Sequence, residues 1–483
     1  MLGRRITQPL PTSFSRRHAL QSLASGFGYL AFAGLAHSQA AQSEVGGNPL
    51  AARGAHFPAR AQRVIFLCMN GGPSHMDLFD YKPVLNRHAS EGKTLDGKQY
   101  GAPLMGAQFP FHQHGDSGLW ISDACPQIAA HADELCIINS MQTDLPNHSQ
   151  AFNQMHTGSF QFVRPSLGAW TLYGLGTENA NLPGFITLSP PSDNGGAQNY
   201  GSAFLPAIYQ GTKIGTHQIP GFYAAFLGVD HEPGPPLKYV GDSGLSRAEQ
   251  RAQLDLIRYF NTRKLADDPH QPEIEGAIES FELAFRMQDE VPALLDLSGE
   301  SASMLELYGV GSGKPTDRFG RQCLLARRLA EAGVRFIEIT SPEGWDHHFL
   351  LKDNLAKSCA ATDQPVAALL TDLKQRGLLD DTLVIWAGEF GRTPYAQSGT
   401  GRDHNAKGYS VWMAGGGVRG GRAYGRTDDY GGAAVEHPVH VHDWHATILH
   451  LLGLDHERLT FRYGGRSFRL TDVYGSVVRD IVG

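Results

Sequence analysis

Three short runs dominated by apolar residues, at 64–69, 334–340 and 383–387, stand out in the chain. The first is almost wholly apolar, without the alternation of a half-exposed strand, and so predicts a strand buried on both faces of a sheet. The other two predict strands of the same sheet. Shorter runs predict further strands at 136–138, 185–189 and 410–414.

Between these strands, apolar residues recur with the period of an α-helix. Val366, Leu369, Leu370 and Leu373 share one helical face, and Gly377 is placed to end that helix. A helix is also predicted from Asn147 to Thr157, and another through Leu452 with Asp443 as its N-cap. Alternating helices and strands predict an α/β fold with a mostly parallel central sheet, covered on both faces.

Composition along the chain predicts one main domain at residues 63–475. A change to Pro-, Gly- and Asn-rich sequence, followed by charged helical sequence, predicts an insertion or lid at 190–310 that shapes access to a site. Residues 41–62 are predicted as a flexible linker, and 476–483 as a C-terminal tail.

The first forty residues, 1–40, have the three parts of a twin-arginine signal peptide. Arg16 and Arg17 precede a Gly/Ala-rich apolar run at 23–36, and small residues at 37–41 offer a cleavage region. The run is too short and too weakly apolar for a membrane span. This pattern predicts export by the twin-arginine machinery to the periplasm or medium, with no stable membrane span after cleavage.

Overall composition limits which partners and which metal ligands are expected. A net charge of −7 argues against nucleic acid as a partner, since phosphate binding needs a basic surface. With 22 His against 5 Cys, any metal site is expected to use nitrogen and oxygen ligands. Cys68 and Cys323 are predicted to be buried, and Cys125 could pair with Cys136 in an oxidising compartment.

Carboxylates and imidazoles follow the predicted strands. Asp346, His347 and His348 come after the strand at 334–340, with Gly344 allowing a sharp turn between them. Because loops after the carboxyl ends of parallel strands share one edge, we expect these groups to meet there. Zinc, manganese and iron accept such donors, while an exposed polar loop is the alternative.

Glu389 and Arg392 follow the strand at 383–387. Glu389 is a candidate metal ligand, and Arg392 could hold a tetrahedral oxyanion with its planar donor fork. An ion pair between these two residues is the alternative. In the next loop His404 is a candidate ligand, and Asp403 could bind the metal or orient that imidazole.

Other candidates are less specific. After the first strand, Asn70 and His75 could point inward, whereas Asp77 and Asp80 could be helix caps; Ser74 lies in the same loop. His148 and Ser149 head the helix whose free N–H groups attract anions, and Asn147 or Ser149 could simply cap it. Late histidines that could face the sheet edge are His437, His440 and His442, with His442 favoured; His445, His450 and His456 are expected to have packing or surface roles.

The motifs at residues 71–83, 344–348, 388–394 and 401–405, in this order, resemble those of an exported, sulfatase-like bacterial family of unknown function. That family is similar to the alkaline phosphatase superfamily, which includes sulfatases and cofactor-independent phosphoglycerate mutases. The resemblance covers about residues 60–475. It implies a three-layer α/β sandwich with a mostly parallel sheet and an inserted subdomain.

The resemblance also implies roles for single residues. Asn70 stands where the superfamily has a metal-binding carboxylate, and Asp346 and His348 match metal ligands. The nucleophile position falls on His148, with Ser149 beside it, and no Cys-x-Pro-Ser-Arg motif is present, which argues against a formylglycine mechanism. Glu389 and Phe390 align with an Asp-His pair, so that His404 is expected to substitute as ligand; His442 matches loosely.

These expectations together predict a hydrolase of phosphate or sulfate esters, small-molecule or polysaccharide, that uses water activated by zinc, manganese or calcium. Arg392 would hold the oxyanion, and His148 or His75 would protonate the leaving group. A non-catalytic exported binding or scaffold protein that keeps the fold is the alternative. A metal-free carbohydrate-binding or sugar-processing protein is a third.

Overall fold

A computed structural model describes residues 49–94, 103–215, 245–267 and 272–483, with side chains omitted at 264–278 and 289. The predicted signal peptide lies outside these residues. The helices are α1 (Pro83–Ser90), α2 (Pro126–Ala129), α3 (His148–Thr157), α4 (Leu167–Leu175), α5 (Arg247–Asp267), α6 (Pro272–Leu295), α7 (Ala302–Leu307), α8 (Asp317–Glu331), α9 (Leu351–Gln375) and α10 (Val441–Leu451).

Seventeen strands lie in the described ranges. They are β1 (Arg63–Cys68), β2 (Phe111–His114), β3 (Leu119–Ser122), β4 (Leu135–Gln142), β5 (Phe185–Leu188), β6 (Thr212–Ile214), β7 (Phe336–Thr340), β8 (Thr382–Ala387), β9 (Gly391–Gln397), β10 (Gly401–Asn405), β11 (Tyr409–Ala414), β12 (Arg422–Tyr424), β13 (Arg426–Thr427), β14 (Ala434–Glu436), β15 (Val439–His440), β16 (Phe461–Tyr463) and β17 (Arg466–Phe468).

Nine of these strands form the central sheet, in the order β12-β4-β11-β8-β1-β7-β5-β6, with β15 also paired to β4. In the middle of the sheet, Ile65 of β1 lies between Ile337 of β7 and Val384 of β8, and both pairings are parallel. Only β11 runs antiparallel to its two neighbours. The predicted mostly parallel α/β sheet is therefore confirmed.

The sheet is covered on both faces. Every residue of β1, β7, β8 and β11 is buried, although successive side chains of a strand point to opposite faces. The largest hydrophobic cluster runs through the sheet and the helices that cover it, including Leu324 of α8 and Leu369 of α9. Among the described residues, no helix is long and apolar enough to cross a membrane.

Parts of three segments that the sequence set apart from the main domain pack on the domain. In the expected linker, Leu50 and Ala61 are buried in the core. In the expected tail, Ile481 is buried, and Val482 bridges to Val418. Within the expected insertion, β6 pairs with β5 at the edge of the central sheet. Burial of these apolar side chains favours packing of the two short terminal segments against the domain.

The start of α10 also differs from the prediction. The N-cap is His440 rather than Asp443, and Asp443 lies three residues later, where its carboxylate accepts a hydrogen bond from the backbone N–H of His440 (3.0 Å). The two residues form a capping box. The sequence therefore predicted correctly that Asp443 lies at the start of this helix, but assigned it the wrong position there.

Candidate metal centre

Four side chains bring potential metal ligands to one point. They are His148, Asp346, His348 and His404, and their donor atoms all lie within 4.8 Å of one another. The carboxylate atom Oδ1 of Asp346 is at the centre, 3.2 Å from Nε2 of His148, 2.9 Å from Nε2 of His348 and 3.4 Å from Nε2 of His404.

Sheet topology explains how these distant residues meet. Asp346 and His348 lie in the loop after the carboxyl end of β7, and His404 lies on β10, in the hairpin that follows β8. His148 is the first residue of α3, after β4, and Asn147 caps that helix by accepting a hydrogen bond from a backbone N–H (3.3 Å). Because β4, β7 and β8 point the same way, their following loops share one edge.

Hydrogen bonds at the far side of two rings set their orientation. Nδ1 of His404 lies 2.8 Å from the carbonyl oxygen of Pro146, and Nδ1 of His348 lies 2.5 Å from Oε1 of Gln397. A carbonyl oxygen can only accept, so Nδ1 of each ring donates. In a neutral imidazole this leaves the Nε2 lone pair free, and both Nε2 atoms face Asp346.

Glu389 gives the third ring the same orientation. Its carboxylate is fully buried and lies 2.6 Å from Nδ1 of His148, while it also accepts from the backbone N–H groups of Gly71 (3.1 Å) and Gly72 (3.2 Å). These donors surround both carboxylate oxygens. The structure thus places Glu389, predicted as a ligand, behind His148 and outside the four-residue cluster.

Arg392 is fully buried and holds Asp346 in place through hydrogen bonds to it and to the surrounding backbone. Its Nε donates to the carbonyl oxygen of Gly72 (2.8 Å), Nη1 to that of Arg402 (3.2 Å) and Nη2 to Oδ1 of Asp346 (2.6 Å). With these donors engaged inside the protein, the predicted oxyanion role does not fit its position. Its acidic partner is Asp346 rather than Glu389, which was the predicted alternative.

Charges in the cluster are strongly coupled. Burial opposes the protonated form of His148, but the Asp346 and Glu389 carboxylates outweigh it and raise the pKa of this ring to about 9. Burial likewise opposes ionisation of Asp346, yet the hydrogen bonds from His148 and His404 and the charge of Arg392 hold its pKa well below the usual range. A positive charge between these groups is therefore favoured.

One wall of the site is apolar and one side is open. The buried ring of Phe390 packs against His148 and His404, with ring centroids 4.8 and 4.6 Å apart. The side chain of Asp346 is 42% exposed. A ligand from solvent can thus reach the point where the four donors meet.

Two predicted histidines lie elsewhere. His75 is buried, with Nε2 2.9 Å from the carbonyl oxygen of Gly431, and His442 is buried, with Nε2 2.8 Å from that of Gly158. Burial lowers the pKa of both rings. The structure brings neither His75, predicted as a general acid, nor His442, predicted as a ligand, to the cluster.

Three other predicted residues lie beside the cluster without joining it. Oδ1 of Asn70 accepts from Nδ2 of Asn194 (2.9 Å), and Oγ of Ser149 donates to Oδ1 of Asn194 (3.4 Å). Oδ1 of Asp403 accepts from the backbone N–H of His404 (2.8 Å), so Asp403 contacts the backbone of the neighbouring candidate ligand. Asn70 and Ser149 thus share one polar partner, Asn194.

Remaining candidates have structural partners. Asp77 is fully buried and pairs with Arg402 at 2.9 Å, and Ser74 donates to the same carboxylate. Asp80 pairs with Lys82 at 2.9 Å. Neither carboxylate serves as the helix cap that the sequence left open.

Several residues of the site gave no signal in the sequence. Gln397 lies 49 residues from His348, and Asn194 lies 124 residues from Asn70. In the sequence, Phe390 is only one residue of the motif at 388–394. Their roles depend on contacts across the fold, for which local pattern carries no information.

Comparison with known proteins gives one family match. A family described as "Protein of unknown function (DUF1501)" matches residues 61–482. No curated protein matches the chain.

Several solved structures match this chain at low sequence identity. The lipoteichoic acid synthase LtaP from Listeria monocytogenes is 9% identical, with 87% of this chain and 78% of that chain covered, at a TM-score of 0.36. An alkaline phosphatase superfamily protein from Vibrio parahaemolyticus is 9% identical (84% and 70% covered, TM-score 0.33), and a sulfatase from Pseudoalteromonas sp. is 14% identical (82% and 69% covered, TM-score 0.31).

The family match spans nearly the whole described domain, including all four residues of the cluster. The chain therefore belongs to the DUF1501 family of proteins of unknown function.

Proposed function

We propose that this protein is an exported, metal-dependent hydrolase of phosphate or sulfate esters. The observation that carries the proposal is the common orientation of His148, His348 and His404. Each ring commits Nδ1 to an acceptor and turns Nε2 toward Oδ1 of Asp346. Loss of the Nε2 protons would leave three lone pairs beside one carboxylate oxygen, and a cation between them would stabilise such a set of donors.

The residues fit a divalent metal ion. Ligand atoms about 2 Å from a tetrahedral zinc ion lie about 3.3 Å from one another. The three distances from Asp346 Oδ1 are 2.9 to 3.4 Å, and the four donor atoms, which lie within 4.8 Å of one another, would draw closer around the ion. Acceptors behind each imidazole are the usual supports of metal-bound histidine. A set of three nitrogens and one oxygen favours zinc or manganese over calcium, which prefers six to eight oxygen ligands.

A bound ion would supply Lewis-acid chemistry, which polarises an ester oxygen and makes water a stronger nucleophile near neutral pH. The chain's own residues would position it: Glu389, Gln397 and the Pro146 carbonyl hold the rings, and Arg392 holds Asp346. Phe390 would exclude water from one side.

Water, rather than a side chain, is the nucleophile in this proposal. The nearest hydroxyl along the chain, that of Ser149, donates to Asn194, and Ser149 is exposed. Within the described residues, no further imidazole or carboxylate belongs to this cluster. Aryl esters are therefore the expected best substrates, because their leaving groups need little protonation.

The test uses the full chain and the single variants His348→Ala and His404→Ala. We expect about one equivalent of zinc or manganese in the wild type by elemental analysis, and hydrolysis of p-nitrophenyl phosphate or sulfate. Each variant should lose at least about tenfold in metal affinity, and hydrolysis with it. His112→Ala, which changes an exposed histidine, is the control and should alter neither.

Unchanged metal content in both ligand variants would refute the metal site. Metal binding that depends on these residues, without turnover of any phosphate or sulfate ester, would instead support a non-catalytic binding protein. Circular dichroism of each variant separates loss of metal from loss of fold.

Export rests on the twin-arginine pattern in residues 1–40. Replacing Arg16 and Arg17 with Lys should leave the protein in the cytoplasmic fraction. Wild-type protein found only in that fraction would contradict export.

A further inference from the structure

Two of the five cysteines face each other between α2 and α9. Cys125 is the residue just before α2, and Cys359 lies in the third turn of α9. Their Sγ atoms are 3.5 Å apart, and each residue is 2% exposed. A disulfide bond is about 2.05 Å long, so a shift of about 1.5 Å would join them.

A separate contact fixes the two segments in register. Asp363 lies one helical turn after Cys359, on the same face of α9. Its carboxylate accepts from the backbone N–H groups of Gln127 (2.9 Å) and Ile128 (2.8 Å), in the first turn of α2. The meeting of the two sulfurs therefore does not depend on the sulfurs themselves.

The other three cysteines have no such partner. Cys68 lies on β1, Cys136 on β4 and Cys323 on α8, each buried. All five cysteines of the chain lie in the described ranges, and Cys125 with Cys359 is the sulfur pair within 4 Å there. The structure thus places Cys359, and not Cys136, next to Cys125, whereas the sequence had left a pair with Cys136 open.

We propose that Cys125 and Cys359 form an intramolecular disulfide when the chain folds in the presence of a small-molecule disulfide such as oxidised glutathione. One thiolate attacks the oxidant and releases one glutathione thiol, and the second thiolate displaces the other. The two protein thiols lose two protons and two electrons, and the oxidant's S–S bond becomes two thiols.

The bond would connect residues 234 positions apart and brace the segment beside the metal centre. Ser358, next to Cys359, donates to the carbonyl oxygen of Gly344 (3.2 Å), in the loop that carries Asp346. A crosslink at α9 would therefore stabilise the helix on which that loop rests. A loop this long restricts the unfolded chain strongly, so the stabilising effect should be large.

Burial of the Cys125 thiol affects how fast this disulfide can form. The Cys359 thiol and burial raise the pKa of the Cys125 thiol, so little thiolate exists in the folded, reduced protein. The bond should form quickly during refolding and slowly once the reduced protein has folded.

The full chain is unfolded under reducing conditions, refolded in a glutathione redox buffer, alkylated, and digested without reduction for mass spectrometry. We expect a peptide pair linked through Cys125 and Cys359, with three alkylated cysteines per chain. The oxidised protein should melt several degrees above the same protein reduced.

Cys359→Ala should show no link and no melting difference between the two redox states. Cys323→Ala, a change at another buried cysteine, should keep both. Refolded wild-type protein with all five cysteines alkylated, or with Cys125 linked to another cysteine, would overturn the proposal. That measurement needs no variant and does not depend on metal or hydrolysis.

Discussion

At the scale of single residues, the candidate centre depends on which atom of each ring is free. An imidazole can present either nitrogen, and the acceptor on its far side decides which one. For His148 that acceptor is the buried carboxylate of Glu389. Glu389 would thus act on a bound metal through His148, although the sequence suggested direct ligation.

Replacing this carboxylate should weaken metal binding without removing a ligand. In Glu389→Gln, one half of the amide is a donor and cannot accept from His148 Nδ1 or from the two glycine N–H groups. We expect the metal dissociation constant to rise about 10- to 100-fold, as found for other supports of metal-bound histidine. Calorimetric titration of the metal-free protein with zinc measures this change.

Glu436→Gln is the matched control, because Glu436 makes an exposed ion pair with Arg426. Its zinc affinity should equal that of the wild type. Complete loss of binding in Glu389→Gln with the fold intact would instead favour direct ligation by Glu389.

At the scale of elements, the centre depends on close contact between β10 and the loop after β7. A Cβ atom at Gly401 would lie 2.0 Å from the backbone carbon and oxygen of His348. The backbone N–H of Arg402 donates to the carbonyl oxygen of His347 (3.2 Å) in the same contact. Glycine at 401 therefore lets the strand that carries His404 approach the loop that carries His348.

Gly401→Ala should push these two elements apart. We expect at least about tenfold weaker zinc binding, together with a loss of about 1 to 3 kcal/mol of stability from overpacking. Gly344→Ala is the control in the same loop, since a Cβ atom there would meet no atom within 4 Å. Equal zinc affinity of the two variants would contradict the importance of this contact.

The sequence predicted that Gly344 is needed for a sharp turn. Its φ angle is not positive, so the backbone conformation at this position does not require glycine. Glycine's missing Cβ matters at 401, where space is short. A glycine in a motif does not by itself show whether its conformation or its size is required.

At the scale of the whole molecule, buried neutral histidines make stability depend on pH. His445 is fully buried in α10, with Nε2 2.7 Å from the carbonyl oxygen of Met155 in α3. Burial lowers its pKa to about 3. In the unfolded chain the same ring has a pKa of about 6.5, so below that pH the unfolded state binds the extra proton.

The free energy of unfolding should therefore fall as pH falls from 7 to 5, with about 2 kcal/mol of the loss due to His445. His445→Gln keeps an N–H donor for Met155 but does not titrate, so this share of the loss should disappear. Denaturant unfolding at both pH values measures it. His112→Gln, at an exposed position, should keep the wild-type dependence; the same loss in His445→Gln as in wild type would contradict the assignment.

The sequence by itself determined the fold class and the edge where the site lies. Apolar runs such as 64–69 are unfavourable in water and form buried strands, and parallel strands place their following loops at one edge. On this basis the sequence predicts Asp346, His348 and His404 as metal ligands. The sequence also predicts His148 as a site residue, although as a catalytic group and not as a ligand.

Only the tertiary structure decided what each polar residue does. Whether a carboxylate faces a cation, an imidazole or an arginine depends on neighbours far away in the chain, as with Glu389 and His148, 241 residues apart. His75 and His442 share the chemistry of the four cluster residues, but their rings are directed to backbone carbonyls elsewhere. Metal ligation requires that the distances between donor atoms be correct to within a few tenths of an ångström. Only the packing of the whole chain sets these distances.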